Sequence, residues 1–359
     1  MPIGQLEPQD PREIGPFRLV ACLGGGGFGR VYLGFRSGQP DPVAVKVLKG
    51  PFLADTHWRQ RFEHEVTNIR RVDGAVTAQL IAAETRGNQP WLATVYIPAP
   101  TLMDLVAKLG PLNEHAGWWL LSSLAEAVLQ IHAAPLIHRD LKPQNVLVAI
   151  DGIRVIDFGI SRAVDRPGIT VEGTANVGTK GFMPWEQFAN LSDATVKSDV
   201  YAIGATAVYA VSGHPPYNQS TYQDWAQGIR PNLDGVPQSM KPILTACLAK
   251  EPDARPTVSV LAEEATAQFL AAGIAPFLDA APPLPQPYLD AIAALAMHAV
   301  SMQPEHPVER ELVSVGSAPS AGGSNGGEPK RRSGGVGLGE EWGRRWNNRL
   351  DERRDRYDG

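Results

Sequence analysis

A chain of 359 residues, 43% of them apolar, is long enough for one large two-lobed domain or two ordinary ones and can bury a core. A formal net charge of −5 excludes the strongly basic balance of a nucleic-acid-binding domain, and two cysteines, Cys22 and Cys247, exclude a disulfide framework or a cysteine-based zinc site. No run approaches the roughly 18 apolar residues that span a bilayer, and the start M-P-I-G-Q-L-E-P-Q-D-P has neither region of a secretion signal, so the cytoplasm is the expected compartment.

Residues 1–13, rich in proline and charge, are expected to form a flexible lead-in, with structure starting near Phe17. Phe17–Leu23, Val31–Phe35 and Val43–Leu48 read as strands, the first two joined by Gly24-Gly25-Gly26-Gly27-Phe28-Gly29. Glycines at 24, 26 and 29 fit G-x-G-x-x-G. Flexible turns and dinucleotide-binding folds share this spacing, but a strand follows here where the latter need a helix. In V-A-V-K the alternation of a strand puts Ala44 and Lys46 on one side. A helix follows, capped by Asp55 or Thr56, with Phe62, Val66 and Ile69 as an inward stripe, Glu65 beside it and Glu63 toward solvent. Trp91–Ile97 reads as a strand that stops at Pro98-Ala99-Pro100. Beyond it come a short helix over Thr101–Leu109 and a long one over Asn113–Ala133 carrying Leu120, Leu121, Leu124, Val128 and Ile131. Trp118, Trp119 and His132 read as packing residues.

The stretch Ile137–Val148, I-H-R-D-L-K-P-Q-N-V-L-V, concentrates chemistry. Asp140 can accept a proton from an alcohol, Lys142 can hold the charge of a migrating phosphoryl group, and the Asn145 side-chain oxygen can bind a hard cation such as Mg²⁺. Farther on, the apolar run Ile153–Ile156, interrupted once, seats Asp157 of Asp157-Phe158-Gly159 at a strand end as a second metal ligand. Together these groups meet the requirements of phosphoryl transfer.

H-R-D-L-K-P-Q-N followed by D-F-G resembles the catalytic and metal loops of eukaryotic-like (Hanks-type) protein kinases, and the resemblance runs in the family's order to about residue 272. It implies an α+β, two-lobed protein kinase fold. A small β-rich N-lobe with one regulatory helix would cover residues 14–97, and a larger, mostly helical C-lobe residues 98–272. By that resemblance Gly24, Gly26 and Gly29 approach the phosphates of ATP, while Leu23, Val31, Ala44, Thr94, Tyr96 and Leu147 surround the nucleotide. Thr94 would guard the back of the adenine pocket, and Val95–Ile97 would offer backbone hydrogen bonds to the purine. Lys46 would reach the α- and β-phosphates, paired with Glu65, and Asn145 and Asp157 would hold Mg²⁺, with Mn²⁺ as an alternative. Asp140 would be the base, and Lys142 would neutralise the transferring group.

Asp157–Glu186 resembles an activation segment, with Thr170, Thr174 and Thr179 among glycines suited to a mobile loop. Arg139 resembles the cation that binds a phosphorylated activation-loop residue. Thr170 or Thr174 would carry that phosphate, against the plainer reading of both as ordinary loop residues. Thr179 in G-T-K-G-F-M matches the threonine that contacts the base and Lys142. Pro184-Trp185-Glu186 departs from the family's A-P-E, which bears on the substrate platform, although Glu186 is kept and Arg255 of P-D-A-R-P-T resembles its buried partner. Asp199 in S-D-V-Y-A-I-G can cap a helix running through Val211 and, by resemblance, hold the catalytic loop's backbone. Further helices are expected at Ser239–Ala249 and Thr257–Ala272.

Residues 273–311 read as a Pro-rich linker with a short amphipathic helix at Tyr288–Ser301, and residues 312–339 as a Gly/Ser-rich linker. In the charged tail, 340–359, Trp342, Trp346 and Leu350 recur at spacing four, which fits either a docking helix for a protein partner or an unstructured tail; Arg331-Arg332-Ser333 is a candidate phosphoacceptor site. The resemblance implies a Mg-ATP-dependent kinase acting on Ser/Thr hydroxyls of protein substrates, itself included, with a homodimer as one route to phosphorylation in trans. Lys142 tilts the acceptor toward Ser and Thr, since the tyrosine-directed branch usually lacks it. The rivals are a pseudokinase scaffold or nucleotide-binding module, whose usual marks would be losses at the lysine, base or metal positions, and a small-molecule kinase, against which the long segment after D-F-G argues. Abundant Ala, Gly, Pro and Arg fit a bacterial member, expected to be soluble.

Overall fold

The computed structural model describes residues 3–26, 29–39, 41–48, 56–72, 74–157, 181–189, 193–217, 227–271 and 282–302. Thr170, Thr174, Thr179, the Phe158-Gly159 half of D-F-G, the Asp55 cap and the tail from 303 onward lie outside them. Among the described residues, no helix is long and apolar enough to cross a membrane.

The N-terminal half is an antiparallel six-stranded sheet, ordered β1-β2-β3-β4-β6-β5. Its strands are β1 (Glu13–Ile14), β2 (Phe17–Gly26), β3 (Gly29–Arg36), β4 (Pro42–Leu48), β5 (Leu80–Glu84) and β6 (Trp91–Val95). Alternation sorts the side chains as a strand must. Val43, Val45 and Val47 join Phe17, Leu19, Tyr32 and Ala93 on one face, while Ala44 packs with Leu33 and Phe35 on the other. Helix α1 (Thr56–Ile69) buries Phe62, Val66 and Ile69, the expected stripe. Strand β5 had no clear signal in the sequence, because Leu80-Ile81-Ala82-Ala83-Glu84 alternates only weakly and is recruited by pairing with β6.

The C-terminal half opens with α2 (Leu102–Leu109) and is built on α3 (Glu114–Ala133) and α5 (Val196–Ser212), between which come β7 (Val146–Ala149), β8 (Gly152–Val155) and α4 (Trp185–Ala189). Helices α6 (Lys241–Cys247), α7 (Val258–Ala271) and α8 (Gln286–Ser301) follow. Both central helices are apolar nearly all round, and a helix of that kind has to be enclosed. Leu120, Leu121, Leu124, Val128 and Ile131 of α3 lose all contact with solvent, and Trp118 and Trp119 are buried packing residues as expected. Caps set the ends. Thr101 and Asn113 accept backbone N–H groups at the starts of α2 and α3, and Thr195 and Ser198 form a reciprocal capping box on α5.

One buried ion pair ties the segment around α4 to the rest of this half. Arg255 donates from Nη1 and Nη2 to the two Glu186 oxygens at 2.6 and 2.9 Å. Its remaining N–H groups go to the carbonyls of Ala249, Lys197 and Lys250, so all five donors are used. Ser198 Oγ adds a hydrogen bond to Glu186 at 2.7 Å. The departure at Pro184-Trp185 is absorbed by packing: Pro184 is buried, and Trp185 lies under the Lys250 ammonium, 5.7 Å from the ring centroid.

Two segments differ from their sequence reading. Residues 3–13, part of the lead-in 1–13 expected to be flexible, lie along the sheet. Gly4 and Cys22 exchange backbone hydrogen bonds, and buried Asp10 accepts from Tyr32 Oη at 2.7 Å and Arg30 Nη1 at 2.6 Å. Burial alone would raise the Asp10 pKa; the Tyr32 hydroxyl, the Glu7 amide and Arg30 outweigh it and lower the carboxyl to about 2. Residues 282–302, expected within a linker, are packed on the domain through Leu284 ahead of α8 and through Tyr288, Ile292 and Ala299, one stripe of α8.

Arg255→Ala leaves the Glu186 carboxylate buried and unpaired, a loss of about 3–5 kcal/mol that a urea titration should register, while Glu186→Gln in the same chain recovers part of it. A second expectation concerns acid. Both His115 ring nitrogens are shut off from solvent without a hydrogen-bond partner among the described residues, and burial lowers its pKa below the usual 6.5; His138 shifts the same way. A lowered folded pKa means that stability is fully present above 6.5 and declines as pH falls toward the folded value. Thermal melts should therefore weaken below pH 6.5, and His115→Leu should flatten that slope.

Candidate active site

The hinge and the catalytic loop are joined through the backbone. Val148 N donates to Pro100 O at 3.0 Å, and Thr101 and Leu147 form a bridge, so the chain leaving β6 is stitched to β7. The loop between α3 and β7 is held from beneath by Asp199, which has no solvent exposure. Its two oxygens accept the amides of His138 and Arg139, each at 2.9 Å, and Oδ2 also meets His132 Nε2 at 2.7 Å. This grip coincides with Arg139 at φ 66°, a left-handed conformation that a residue carrying a Cβ adopts only at some expense. The Arg139 side chain is exposed, and Gln187 Nε2 caps its carbonyl.

His138 links the two halves of the chemistry. Its Nδ1 accepts the Asp140 amide at 3.3 Å, which leaves Nε2 to donate to Ile156 O at 3.2 Å, and that pattern requires a neutral ring. Burial lowers its pKa in the same sense. Ile156 N in turn donates to Asn145 O at 2.9 Å, so the segment carrying Asp157 is locked to the loop carrying Asn145. Asp157 itself stands at φ 56°, a second strained residue at the meeting point.

Within the loop Lys142 Nζ donates to Asp140 Oδ2 at 2.9 Å, and Asn145 Nδ2 donates to the same oxygen at 3.1 Å and to Asp140 O at 2.8 Å. The amide orientation leaves Asn145 Oδ1 as an acceptor. Across the cleft Lys46 Nζ, on β4, donates to Glu65 Oε1 of α1 and to Asp157 Oδ1, both at 2.8 Å. Burial opposes the Lys46 ammonium, but Asp157 and Glu65 outweigh it and its pKa rises. Burial also raises Glu65, while Asp157 falls because the attraction of Lys46 exceeds its own desolvation. Three carboxylates and two ammonium groups thus converge, an arrangement with one negative charge in excess.

The glycine hairpin is in register with Lys46. Gly24 pairs with Val31, and Val31 with Lys46, in one row across the sheet; Ala44 pairs with Thr94 in another. Gly26 pairs with Gly29, the tip between them lying outside the described residues. Gly29 has a local reason to be glycine, since a Cβ there would stand 2.3 Å from Val47 O. Leu23 and Ala44 pack around the cluster that includes Tyr96, and Thr94 is buried. The Val95 and Tyr96 amides are used within the lobe, by Gln79 O and Pro42 O.

Of the residues singled out from sequence, Lys46, Glu65, Asp157, Asp140, Lys142 and Asn145 come together here, Asp199 lies beneath them, Glu186 and Arg255 form their separate buried pair, and the three threonines and residues 331–359 lie outside the described residues. Sequence reading had His132 as packing only and did not single out Gln187 or the ring of His138. His138 had a signal, its place in H-R-D; Gln187 had none, because its partner is a backbone carbonyl far along the chain.

Comparisons with known proteins agree with this geometry. The family described as protein kinase domain matches residues 17–268. Serine/threonine-protein kinase AfsK of Streptomyces coelicolor is 41% identical over 259 residues, which are 71% of this chain and 32% of that protein. Serine/threonine-protein kinase PknL of Mycobacterium tuberculosis is 29% identical over 259 residues, 69% of this chain and 64% of that protein. The chain thus spans less than two thirds of either relative. Among solved structures the PknI kinase domain of M. tuberculosis aligns with a TM-score of 0.58 at 24% identity, over 72% of this chain and 97% of that one, a likeness of fold. A two-lobed fold with its charged residues in one interlobe cleft and this family match lead to one conclusion: the chain belongs to the protein kinase family.

Proposed function

We propose that the chain is a Mg-ATP-dependent serine/threonine protein kinase, phosphorylating proteins and its own activation segment, in the cytoplasm where its nucleotide is found. The observation that carries this reading is Lys46 bonded at once to Glu65 and Asp157, beside an Asp140–Lys142–Asn145 cluster. All the positions whose loss would mark a pseudokinase are filled, and the AfsK and PknL relatives are named as serine/threonine-protein kinases.

Protein kinases use ATP and a divalent metal, and the residues present fit such a metal. Among the described residues, no cluster of three or more His, Cys, Asp or Glu could hold an ion by itself. A hard cation needing few protein ligands, as Mg²⁺ does when phosphates and water complete its shell, suits Asp157 and Asn145 Oδ1; Mn²⁺ accepts the same donors. Bound there, the metal would neutralise charge on the phosphate oxygens.

This chain's own groups do the rest. Lys46, held by Glu65, holds the α- and β-phosphates; the backbone at Gly24, Gly26 and Gly29 covers them. Leu23, Val31, Ala44, Thr94, Tyr96 and Leu147 line the nucleotide site, where the Ile97 amide remains for the purine once those of Val95 and Tyr96 are spent. Asp140 orients the acceptor hydroxyl and takes its proton, while Lys142 offsets charge on the moving phosphoryl group. Little covalent chemistry falls to the protein, so positioning and electrostatics supply the rate. Arg139, exposed beside the loop, is suited to a phosphate on Thr170 or Thr174. Thr179 would contact Asp140 and Lys142. Residues 14–272 form the kinase unit on this reading, with residues 340–359 as a docking element for a protein partner.

The test is transfer of labelled γ-phosphate from Mg-ATP to the purified chain and to a basic acceptor protein, with mass spectrometry of the products. Label on Ser and Thr is expected, including Thr170 or Thr174, at a rate that rises with enzyme concentration if a homodimer phosphorylates in trans. Asp140→Asn should lower turnover by roughly 10²- to 10⁴-fold while ATP binding stays near wild type. Equal loss of binding and turnover would remove Asp140 from this role. Wild type that binds ATP but transfers nothing would turn the reading to a nucleotide-binding scaffold.

A further inference from the structure

Two lobes joined by one hinge segment are expected to move relative to each other unless something broad and apolar resists. In this chain the hinge is Tyr96–Pro100, and a second connection lies outside residues 17–268. Helix α8 has 16 residues, a rigid rod of about 24 Å. Its first half belongs to the C-lobe: Tyr288 and Ile292 are buried in the same cluster as Leu102, Leu105 and Val106 of α2, and Tyr288 Oη donates to Gly110 O at the end of α2. Its last turn belongs to the N-lobe. Ala299 is buried with Ala21, Leu33, Phe35 and Tyr96, and Met302 packs against the same cluster.

That cluster sits at the nucleotide site. Leu23 and Ala44 pack against it, as does Ile3 from the N-terminal flank. The same flank grips the glycine hairpin elsewhere. Gly4 pairs with Cys22 one residue before Leu23, Arg30 beside Gly29 donates to Glu7 at 2.8 Å and to Asp10, and Tyr32 donates to Asp10. Both segments outside the family match therefore converge on the strands β2 and β3 that carry the hairpin. With α8 seated, the lobes stand close enough for Lys46 of one to bond Asp157 of the other.

From this we infer that α8, seated with the N-terminal flank, is an interlobe strap that positions the glycine hairpin over the nucleotide, so that the working unit is residues 3–302. The inference rests on the proposed ATP site. A helix cannot stretch, so opening the hinge must pull one end of α8 off its lobe; the docked strap raises the population of the nucleotide-competent arrangement. Releasing it lowers that population, and the apparent nucleotide affinity falls in proportion. Turnover at saturating ATP is spared, because bound nucleotide draws the lobes together and the catalytic loop is held by Asp199 within the C-lobe.

The experiment uses the full-length chain with Ala299→Glu, which puts a charge into the apolar cluster, and with the milder Met302→Glu at its edge in case the first folds poorly. Hydrogen exchange over residues 3–26 and 286–302 reports the strap, with α3 and α5 as internal reference; titration with Mg-ATP gives binding, and steady-state assays give KM and kcat. Exchange should quicken in both flanks while α3 and α5 stay unchanged, and the KM for ATP should rise roughly tenfold with kcat within about twofold. Unchanged exchange, or quickened exchange with an unaltered ATP KM, would overturn the strap and leave the kinase reading standing. Wild type that binds no Mg-ATP would overturn the ATP site and the strap's role with it.

Discussion

The geometry of this cleft depends on one buried carboxylate beneath it. Asp199 is sealed from water and spends its charge on two successive backbone amides and one histidine. A buried carboxylate without partners would be untenable, so the helix carrying it and the loop above it are each other's condition for folding. What the loop gains is a backbone turned through the left-handed region at Arg139, which sends the Arg139 side chain outward and Asp140 inward. The strain is held by hydrogen bonds to a buried helix, so among the described residues the loop's shape is set from the C-terminal half of the protein.

The N-terminal half contributes differently. Its sheet presents Lys46 on a strand flanked by others on both sides, and α1 brings Glu65 to meet it. Neither residue is strained. The lysine is instead placed by register, since a slip of one residue would carry Lys46 to the face now filled by Val43, Val45 and Val47. One lobe therefore positions its charge by pleat and pairing, the other by caps and buried acceptors.

How much of this could be read from sequence depended on the range of the interaction. The grouping of Asp140, Asn145, Asp157 and Lys46 was legible because these side chains stand in short motifs bounded by apolar runs, and the structure brings them within hydrogen-bonding range of one another or of shared partners. The long helices were legible from Leu120, Leu121, Leu124 and Val128 and from the cap at Asn113, all local signals. Asp10 was not: an acid in a proline-rich start looks solvated, and its partners, Arg30 and Tyr32, are about 20 residues away on a strand. Nor was the seating of α8. Its apolar stripe marked a helix, but the surface it covers is assembled from Ala21, Leu33, Phe35 and Tyr96, contributed by three separate segments. Strand β5 was missed because alanines at 82 and 83 blur the alternation and its place is decided by β6.

The bond between Lys46 and Asp157 has a further meaning for the order in which ligands arrive. The Lys46 ammonium stands against the Asp157 oxygen that a metal ion would need on the proposed kinase reading, and the Asp157 side chain is 45% exposed around that contact. The lysine is thus an internal counter-ion. A bare cation approaching the cleft must displace it and gains only one carboxylate and one amide oxygen in return, whereas a cation arriving on a polyphosphate brings most of its own oxygens and gives the lysine a new anion to hold. On the proposed kinase reading, this exchange of partners, with charge conserved at each contact, would favour joint entry of metal and nucleotide over entry of either alone.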